Sequence, residues 1–445
     1  MFASLKFIKP LWYFHLDCGE DGIWPDSDQI IPQNLLDSNY ESIQSTTSEA
    51  SYIALMNGHI NFSPDKGYLP KEIISFKHSA YDEFRFLKKF FNPCWSVGYL
   101  IYRIVTLKSI FKSVIAFMNT FFSIKRVNIN DISIGKTKLR LENPIKFLEN
   151  KTRVRVIIPT YNRYNVLYNL LKDLENQNYS EFCVTIIDQS EKFNKDFYKS
   201  FNLRIDVVRQ ETPGLWKARN NAIKNTNEKV VALLDDDSRI NNDWLIKHLN
   251  CLDYFNSEIS AGVSLSKLGA KIPFNYKFYR ISDQIDTGNV VLNRKIFKVS
   301  GLFDEQFEGM RMGDAEFGLR AYRNGIISIS NPEAFRIHLK SKQGGLRKFG
   351  SWDAFRPTSF FKPRPIPSVL YYARKNFDNY STLVYLLINL PLSLSKYSKK
   401  ADPIFTFISF LLFLFFFPII LLQTFNSWKI SSNILSEGDK IPNEK

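Results

Sequence analysis

The chain has 445 residues, a mass of 51.9 kDa and a formal net charge of +15, and 44% of its residues are hydrophobic. This length predicts two or three domains, and the hydrophobic content is enough for a packed core in each, which excludes wholesale disorder. The positive charge is concentrated, because residues 336–400 contain 13 Lys and Arg but only two acidic residues.

The cysteines and the N-terminus bear on the cellular compartment. The four cysteines, Cys18, Cys94, Cys183 and Cys251, are widely scattered and form no Cys-x-x-Cys pair. This scatter supports neither a zinc site nor a disulfide framework, and it fits a reducing compartment. The first residues contain lysines but no apolar run of signal-peptide length, so we predict no secretory signal.

Residues 1–150 form an N-terminal region whose sequence indicates no particular chemistry. Its clearest element is the segment 100–122, which is apolar at helical spacing and is interrupted by Arg103, Lys108 and Lys112. This pattern predicts an amphipathic helix. Such a helix could lie on a membrane surface or pack on the following domain, and the pattern fits both.

From residue 151 onward, short apolar runs alternate with helical segments. Strands that alternate with crossover helices predict an α/β fold with a mostly parallel sheet flanked by helices. In such a sheet the ligand lies beyond the carboxyl ends of the strands. The predicted strands are 153–158, 184–187, 203–208 and 230–234, and a helix is predicted at 215–225.

The C-terminal part is strongly apolar. Residues 404–422 carry no charge and include seven Phe. About 20 residues cross a hydrocarbon core, so we predict a membrane helix, with Pro418 allowing a kinked or re-entrant form. The alternative is a buried core helix. The run 382–395 suits an interfacial helix, and Lys396, Lys399 and Lys400 behind it indicate that residues 1–400 lie on the cytoplasmic side.

Polar clusters follow three of the predicted strands, at the edge of the sheet where a ligand is expected. They are residues 159–163, 188–190 and 235–238. The last contains three consecutive carboxylates, which raise one another's pKa unless a cation neutralises them. Mg²⁺ or Mn²⁺ favours such ligands and usually shares them with substrate phosphates. The alternative is an acidic turn that caps the next helix.

Six runs occur along the chain in a characteristic order. They are VRVIIPTYNR (154–163), VTIIDQS (184–190), PGLWKARNNAI (213–223), VALLDDDS (231–238), TGNVVLNRKIFKVSGLFDE (287–305) and GDAEFGLRAYRNG (313–325). Together they resemble the successive motifs of family 2 glycosyltransferases over roughly residues 154–340. The resemblance implies a GT-A fold and an inverting transfer from a nucleotide-diphospho-sugar, with a UDP-sugar expected.

The resemblance also implies a role for each matched residue. Asp314 matches the catalytic base, and Glu316 lies beside it. Asp235 and Asp237 match the ends of the D-x-D motif that holds Mn²⁺ or Mg²⁺, and His338 is similar to a histidine that completes the metal shell in relatives. The residues implied in nucleotide-sugar binding are Thr160, Arg163, Asp188, Arg219, Asp235 and Asp236.

Two features depart from the family pattern. The acidic pair that is usual before the base reads Gly313-Asp314, and the Q-x-x-R-W motif of processive polysaccharide synthases is absent, which argues against a processive synthase. Purely structural roles also stay open at this point. They are helix capping for Asp314 and Glu316, a loop or core position for His338, a helix-surface charge for Arg219 and a turn for Asp188.

These predictions divide the chain into an N-terminal region (1–150), a catalytic domain (151–345), a basic membrane-proximal segment (346–400) and a membrane helix with a polar tail (401–445). They favour a membrane-associated glycosyltransferase that acts on a glycan or lipid-linked acceptor and contacts anionic lipid through its basic stretch. The alternative is a catalytically silent relative that scaffolds a glycan-assembly complex. Nucleic acid is not an expected partner, because no recognisable nucleic-acid-binding module is present.

Overall fold

A mixed β-sheet lies at the centre of the part of the chain that the structure describes. The structure is a computed structural model, and it describes residues 1–18, 24, 36–60, 62–63, 67–68, 76–132, 146–266, 269–341, 345–346, 354–357, 359, 361–394 and 403–444. Nine strands form the sheet in this part, and two further short strands form a separate ribbon. The strands are β1 (Phe62–Ser63), β2 (Gly67–Tyr68), β3 (Val154–Thr160), β4 (Phe182–Asp188), β5 (Ile205–Arg209), β6 (Val230–Leu234), β7 (Ser238–Ile240), β8 (Ile259–Leu265), β9 (Arg280–Ile281), β10 (Asn289–Asn293) and β11 (Ser328–His338).

The order of strands in the sheet is β5-β4-β3-β6-β10-β8-β11-β7, and β9 pairs with β11. Strands β5, β4, β3 and β6 are parallel, as are β8 and β11. However, β10 is antiparallel to both of its neighbours, and β7 and β9 are antiparallel to β11. The α/β class is therefore confirmed, but the expectation of a mostly parallel sheet is wrong. A strand that is buried on both faces is apolar throughout, so its sequence does not indicate its direction.

Both faces of the sheet are buried, and each face contributes to a different hydrophobic core. In β3, Val156 and Ile158 pack with the leucines of the helix that follows, whereas Ile157 packs on the opposite side. This alternation is the period of two that a β-strand imposes on its side chains. The predicted strands at 153–158, 184–187 and 230–234 correspond to β3, β4 and β6, and the one predicted at 203–208 begins two residues later, as β5.

Helices cover both faces of the sheet. Helix formation follows local signals, as in the helix after β3, where Leu167, Leu170, Leu171 and Leu174 are buried at the i, i+3, i+4 and i+7 spacing. The helices are α1 (Ala3–Ile8), α2 (Ile43–Met56), α3 (Ala80–Phe90), α4 (Pro93–Val105), α5 (Ile110–Phe121), α6 (Lys146–Glu149), α7 (Tyr164–Glu175), α8 (Leu215–Lys224), α9 (Trp244–Tyr254), α10 (Ile296–Ser300), α11 (Gly313–Arg323), α12 (Pro367–Asn376), α13 (Asn379–Leu392), α14 (Pro403–Phe415) and α15 (Phe417–Ser436).

The N-terminal region shares a hydrophobic core with one face of the sheet. Phe2 and Ile53 belong to the same buried cluster as Ile157 of β3. The hydroxyl of Tyr13 donates a hydrogen bond to the backbone of α11, and Tyr322 of α11 donates one to the carbonyl of Leu16 at 3.1 Å. The described residues of this region therefore pack directly on the sheet and on α11.

The amphipathic segment predicted at 100–122 is two helices, α4 and α5, rather than one. Leu107 and Ser109 between them have positive φ values of 55° and 47°. Side chains rarely adopt this left-handed conformation, and it ends α4 before α5 begins. Apolar periodicity continues through the turn, which explains why the sequence pattern resembles a single helix.

The apolar C-terminal run is also broken into two helices. No single described helix is long and apolar enough to cross a membrane, but α14 and α15 meet that criterion as a pair bent by 83°. The break lies just before Pro418, whose ring cannot continue a helix but fits its first turn. The bend fits a broken span and a re-entrant loop alike. Helix α13 covers most of the run at 382–395, and membrane contact of both elements stays a prediction. The lysines at 396, 399 and 400 lie outside the described residues.

The basic stretch at 336–400 is only partly a surface feature. Arg336 is 1% exposed and lies between two aspartates of the sheet edge. Arg364 is buried, and Lys375 forms ion pairs with Asp304 and Glu316. The expectation that this basic stretch contacts anionic lipid is therefore wrong for these three residues, because their charges are buried or paired within the fold.

Candidate active site

The carboxyl ends of three neighbouring strands bring the predicted polar residues together. Strand β3 ends at Thr160, β4 ends at Asp188, and β6 ends directly before the acidic triplet at 235–237. Because β3 lies between β4 and β6, the three loops that follow are adjacent. The sheet therefore places the predicted nucleotide-sugar residues along one edge.

Asp235, Asp237 and His338 form a cluster of possible metal ligands. One ligand atom from each residue lies within 4.8 Å of the other two. The sequence places them together because β7 follows the acidic triplet immediately and pairs with the end of β11, where His338 lies opposite Ser238. The imidazole Nε2 of His338 is 3.3 Å from Oδ1 of Asp237. Two carboxylates and one imidazole fit a divalent cation such as Mn²⁺.

Arginine side chains neutralise much of the negative charge of the triplet. Arg219 and Arg336 lie 2.8 Å and 2.9 Å from the two carboxylate oxygens of Asp235. Arg163 contacts Asp236 at 3.0 Å and Asp237 at 3.4 Å. A metal ion is therefore not required to hold the carboxylates together, contrary to the expectation from their spacing. The case for a metal rests instead on the converging ligand atoms.

The last two carboxylates of the triplet have different environments. Burial raises the pKa of Asp236 to about 7, although Arg163 acts in the opposite direction. Its Oδ2 accepts a hydrogen bond of 2.8 Å from Thr160 Oγ1. Burial would also raise the pKa of Asp237, but the hydrogen bond from His338 and the charge of Arg163 hold that pKa below its ordinary value. The surroundings of Asp237 therefore favour its ionised form, which is the form that a metal ion would bind.

Asp314, the predicted base, lies at the start of α11 and is linked to the acidic triplet by hydrogen bonds. The backbone N–H of Thr287 donates to Asp314 Oδ1 at 3.2 Å, and the Thr287 hydroxyl donates to the same oxygen. Arg219 donates to the Thr287 hydroxyl and carbonyl and also to Asp235 Oδ1. A continuous path of hydrogen bonds therefore joins the metal-ligand cluster to Asp314.

Gly313 departs from the acidic pair of the family pattern, and the structure gives a physical reason. A Cβ atom at this position would lie 2.3 Å from the indole of Trp216. The indole N–H in turn donates to the carbonyl of Phe307 at 3.0 Å, and Glu308 accepts hydrogen bonds from the first N–H groups of α8. These contacts fix the loop before Asp314, and the indole leaves no space for a side chain at 313.

Glu316 is not brought to the site, although it was predicted beside the base. It lies two positions after Asp314, which places it on a different face of α11. Its carboxylate is fully buried and forms ion pairs with Arg320 at 2.9 Å and Lys375 at 3.1 Å. The expected catalytic role of Glu316 is therefore corrected to a structural one, because its two oxygens are engaged within the core.

Asp188 and Arg219 are both more buried than a ligand-binding role implies. Asp188 is fully buried and accepts hydrogen bonds from the hydroxyls of Tyr164 at 2.6 Å and Tyr198 at 2.7 Å. Arg219 is 1% exposed and bonds to Thr287 and Asp235. Neither is the surface charge or simple turn residue that the alternatives proposed. Within the described residues, both position other parts of the site.

A cavity of about 370 Å³ opens beside the acidic triplet. It lies at the end of β3, next to Arg163, and its volume is within the range of small-molecule sites. Most of its lining residues carry a polar group, although apolar atoms form the larger part of its wall. The lining residues are Asn162, Arg163, Tyr164, Asn165, Val166, Glu191, Lys192 and Ser341.

The sequence patterns missed Thr287, Gly288, Asp286 and Arg336. Arg336 is fully buried and bridges Asp235 and Asp286. Burial would raise the pKa of Asp286, but the charge of Arg336 lowers it. Thr287 and Gly288 are the first residues of one of the six runs that resemble family motifs. Their place in that run was the sequence feature that could have indicated a role in the site. The contacts themselves are long-range, so local spacing could not reveal them.

Replacing Gly288 with Ala should lower activity on the order of a hundredfold, because small displacements of catalytic groups have effects of that size. A Cβ at 288 would lie 2.2 Å from Asp235 Oδ2 and 2.5 Å from the Arg336 guanidinium, so both groups must move. The measurement is kcat/KM together with circular dichroism. Gly98→Ala is the matched control, since its Cβ meets only ordinary contacts at 3.8 Å. Equal activity of both variants would contradict the positioning of Asp235.

The part of the chain that contains strands β4 to β10 matches a known protein family. Residues 155–294 match the family described as glycosyl transferase family 2. The chain is 25% identical over 130 residues to glycosyltransferase AglE of Haloferax volcanii, covering 28% of this chain and 40% of that protein. It is also 25% identical over 233 residues to chondroitin synthase of Escherichia coli, covering 41% of this chain and 34% of that protein.

A solved structure is similar over a larger share of the chain but at low similarity. The crystal structure of S. aureus TarS 1-349 in complex with UDP-GlcNAc matches at 19% identity with a TM-score of 0.39, covering 56% of this chain and 72% of that one. The chain matches less than half the length of each of the two curated relatives. The resemblance of the sequence motifs is nevertheless confirmed for residues 155–294, which match the family described as glycosyl transferase family 2.

Proposed function

We propose that the protein is a glycosyltransferase that moves a sugar, with inversion, from a nucleotide-diphospho-sugar to a hydroxyl of a glycan or lipid-linked acceptor. A UDP-sugar is the expected donor. The observation that carries this proposal is the hydrogen-bonded path from the Asp235, Asp237 and His338 cluster to Asp314. The path connects a group able to hold a metal and diphosphate with a carboxylate able to accept a proton.

The acidic cluster suits the leaving-group side of the reaction. When a glycosyl group is transferred, the diphosphate leaves with growing negative charge. Asp237 and His338, with Asp235, would hold a divalent cation, which when bound supplies Lewis-acid stabilisation to phosphate oxygens. A set that includes an imidazole nitrogen favours Mn²⁺ over Mg²⁺, which usually takes oxygen ligands. Arg163, at the cavity beside the cluster, provides further positive charge for a phosphate.

Asp314 suits the acceptor side of the reaction. The acceptor hydroxyl must lose its proton as it attacks, and a positioned carboxylate accepts that proton as a general base. Asp314 lies in the first turn of α11, where the helix dipole favours the ionised form. Oδ1 of Asp314 accepts both hydrogen bonds from Thr287, and these bonds fix the orientation of the carboxylate.

We also propose that the protein acts at a membrane, with the catalytic sheet on the cytoplasmic side. Helices α14 and α15 expose large apolar residues, including Phe407, Phe415, Leu422 and Phe425. Exposed apolar surface on this scale is uncommon in soluble monomers and marks interaction with membranes or proteins. The bent pair would supply the membrane contact, and the exposed part of the basic stretch would contact anionic lipid.

Donor binding by the full-length protein in detergent tests the proposed activity. The protein is incubated with each member of a panel of UDP-, GDP- and dTDP-sugars, with and without Mn²⁺. The thermal stabilisation of the protein and the release of nucleotide are then measured. We expect one donor to raise Tm and to release its nucleotide only with the metal. The anomeric configuration of the product, determined by NMR, then tests whether transfer inverts the configuration of the donor sugar. If no donor in a complete panel binds or reacts, the silent scaffold is the better description.

A further inference from the structure

Helices α4 and α5 expose many of their large apolar residues, and most of the residues that they bury are small. The buried residues of the two helices are Ser96, Tyr99, Ser113, Ala116 and Thr120. Large apolar residues project away from this packed face. Soluble helices have the opposite arrangement, with the apolar stripe toward the core. Small residues inside and large apolar residues outside are typical of helices that have lipid as their solvent.

The outward residues form one surface, which we call the N-terminal apolar face. Leu107, Phe111 and Phe122 are 78%, 78% and 80% exposed, respectively. Phe111 and Met118 of α5 and Phe122, which caps the end of that helix, recur at helical spacing and share one side. The face consists of Ile101, Val105, Leu107, Phe111, Met118 and Phe122.

The charges around the N-terminal apolar face have a single sign. The sequence has no acidic residue between Glu83 and Asp131, but it has eight Lys and Arg there. Two of these, Arg85 and Lys89, form ion pairs with Asp37 inside the fold. The exposed cations that flank the face are Lys108, Lys112, Lys125 and Arg126.

We propose that the N-terminal apolar face lies in the headgroup and acyl boundary of an anionic lipid bilayer. Apolar residues would enter the bilayer, and the flanking lysines would contact anionic headgroups. Helices of 13 and 12 residues are too short to span the hydrocarbon core, so they lie in the plane of the membrane. A second copy of the chain is a poorer occupant, because a two-fold contact would bring the same cations into opposition.

The helix pair that carries the N-terminal apolar face packs on α13. The hydroxyls of Tyr102 in α4 and Tyr380 in α13 are hydrogen bonded, and Val384 of α13 belongs to the same buried cluster as Tyr99 of α4. Helix α13 also exposes Leu383 and Leu387, so apolar surface continues from the N-terminal helices onto α13. This inference extends the proposed membrane association to a second part of the chain, and it does not depend on the transfer reaction.

Depth-dependent quenching tests the contact directly in the full-length protein. A Cys94→Ser background removes the exposed cysteine, and Phe111→Cys carries an environment-sensitive fluorophore. Val299→Cys on α10, which is 62% exposed, is the matched control. Vesicles of phosphatidylcholine and phosphatidylglycerol contain lipids with a nitroxide on the acyl chain. We expect quenching at 111 and not at 299. Equal quenching at the two positions would overturn the proposal.

A charge-reversal variant tests the lipid chemistry. Lys108→Glu, Lys112→Glu and Lys125→Glu together should lower partitioning onto anionic vesicles at least tenfold, with little effect on neutral vesicles. The control triple, Lys195→Glu, Lys271→Glu and Lys298→Glu, changes net charge equally at exposed positions elsewhere. An equal loss of partitioning onto anionic vesicles in the two triple variants would overturn the proposal. The proposal would also be overturned if the protein were a dimer in which the fluorophore at position 111 is already shielded from solvent before vesicles are added. Nucleotide release in detergent, measured in parallel, distinguishes failure of this proposal from failure of the proposed activity.

Discussion

Asp314→Asn should abolish glycosyl transfer while donor binding is retained. The amide keeps the shape of the carboxylate and can still accept a hydrogen bond from Thr287, but it cannot accept the proton of the acceptor hydroxyl. General-base catalysis contributes about 10²- to 10⁴-fold to rate, so kcat should fall by that factor. The measurement is single-turnover transfer with saturating donor, together with donor affinity by calorimetry. Transfer near the wild-type rate would place the base elsewhere.

Glu316→Gln is the matched control, because it changes the other acidic residue in the first turn of α11. Its carboxylate pairs with Arg320 and Lys375 in the core. Loss of one partner from a buried ion pair costs about 3–5 kcal/mol of stability. We therefore expect a lower Tm for this variant and a nearly normal kcat in the folded fraction. The reverse result, with catalysis lost at unchanged stability, would restore the catalytic role predicted from sequence.

Asp237→Ala should remove the response to Mn²⁺. Asp237 is a carboxylate of the cluster, its surroundings favour its ionised form, and His338 lies beside it. Stabilisation of developing charge by one preorganised group is worth about 10²- to 10³-fold in rate, and we expect a loss of this size. Mn²⁺ affinity, measured by electron paramagnetic resonance, should fall in parallel.

Asp243→Ala provides the control for this experiment. Asp243 is near in sequence but pairs with Lys247 on α9 and is not part of the cluster. It should therefore bind Mn²⁺ and transfer sugar as the wild type does. Wild-type Mn²⁺ affinity in Asp237→Ala would show that the metal, if required, is held by other residues. Circular dichroism excludes misfolding, since Arg163 loses one of its two carboxylate partners in this variant.

Much of the candidate site could be predicted because its residues follow strands. Hydrophobic runs mark β3, β4 and β6, and polar residues directly after them must lie at one edge of a parallel sheet. The antiparallel half of the sheet could not be predicted in the same way. Strand β10 is buried along almost its whole length, as is β6 beside it, and no local feature marks its reversed direction.

The roles of individual side chains were harder to predict than their positions. Asp314 and Glu316 are both acidic residues in the first turn of one helix, and only their packing separates them. Arg336 was counted with the basic stretch because the sequence does not show that β11 carries it back to Asp235. Gly313 is explained by an indole contributed from a helix about 100 residues earlier. Long-range contacts of this kind leave no local pattern.

The segment that follows α15 returns to the loop in front of α11. The N–H of Leu302 donates to the carbonyl of Pro442, and that of Glu305 donates to the carbonyl of Lys440. Asp304 accepts a hydrogen bond from the N–H of Lys440 at 3.1 Å. During synthesis these partners emerge from the ribosome only after α14 and α15. The loop that leads to Asp314 can therefore reach its final set of contacts only once both apolar helices have been made, so the candidate active site cannot be complete before then.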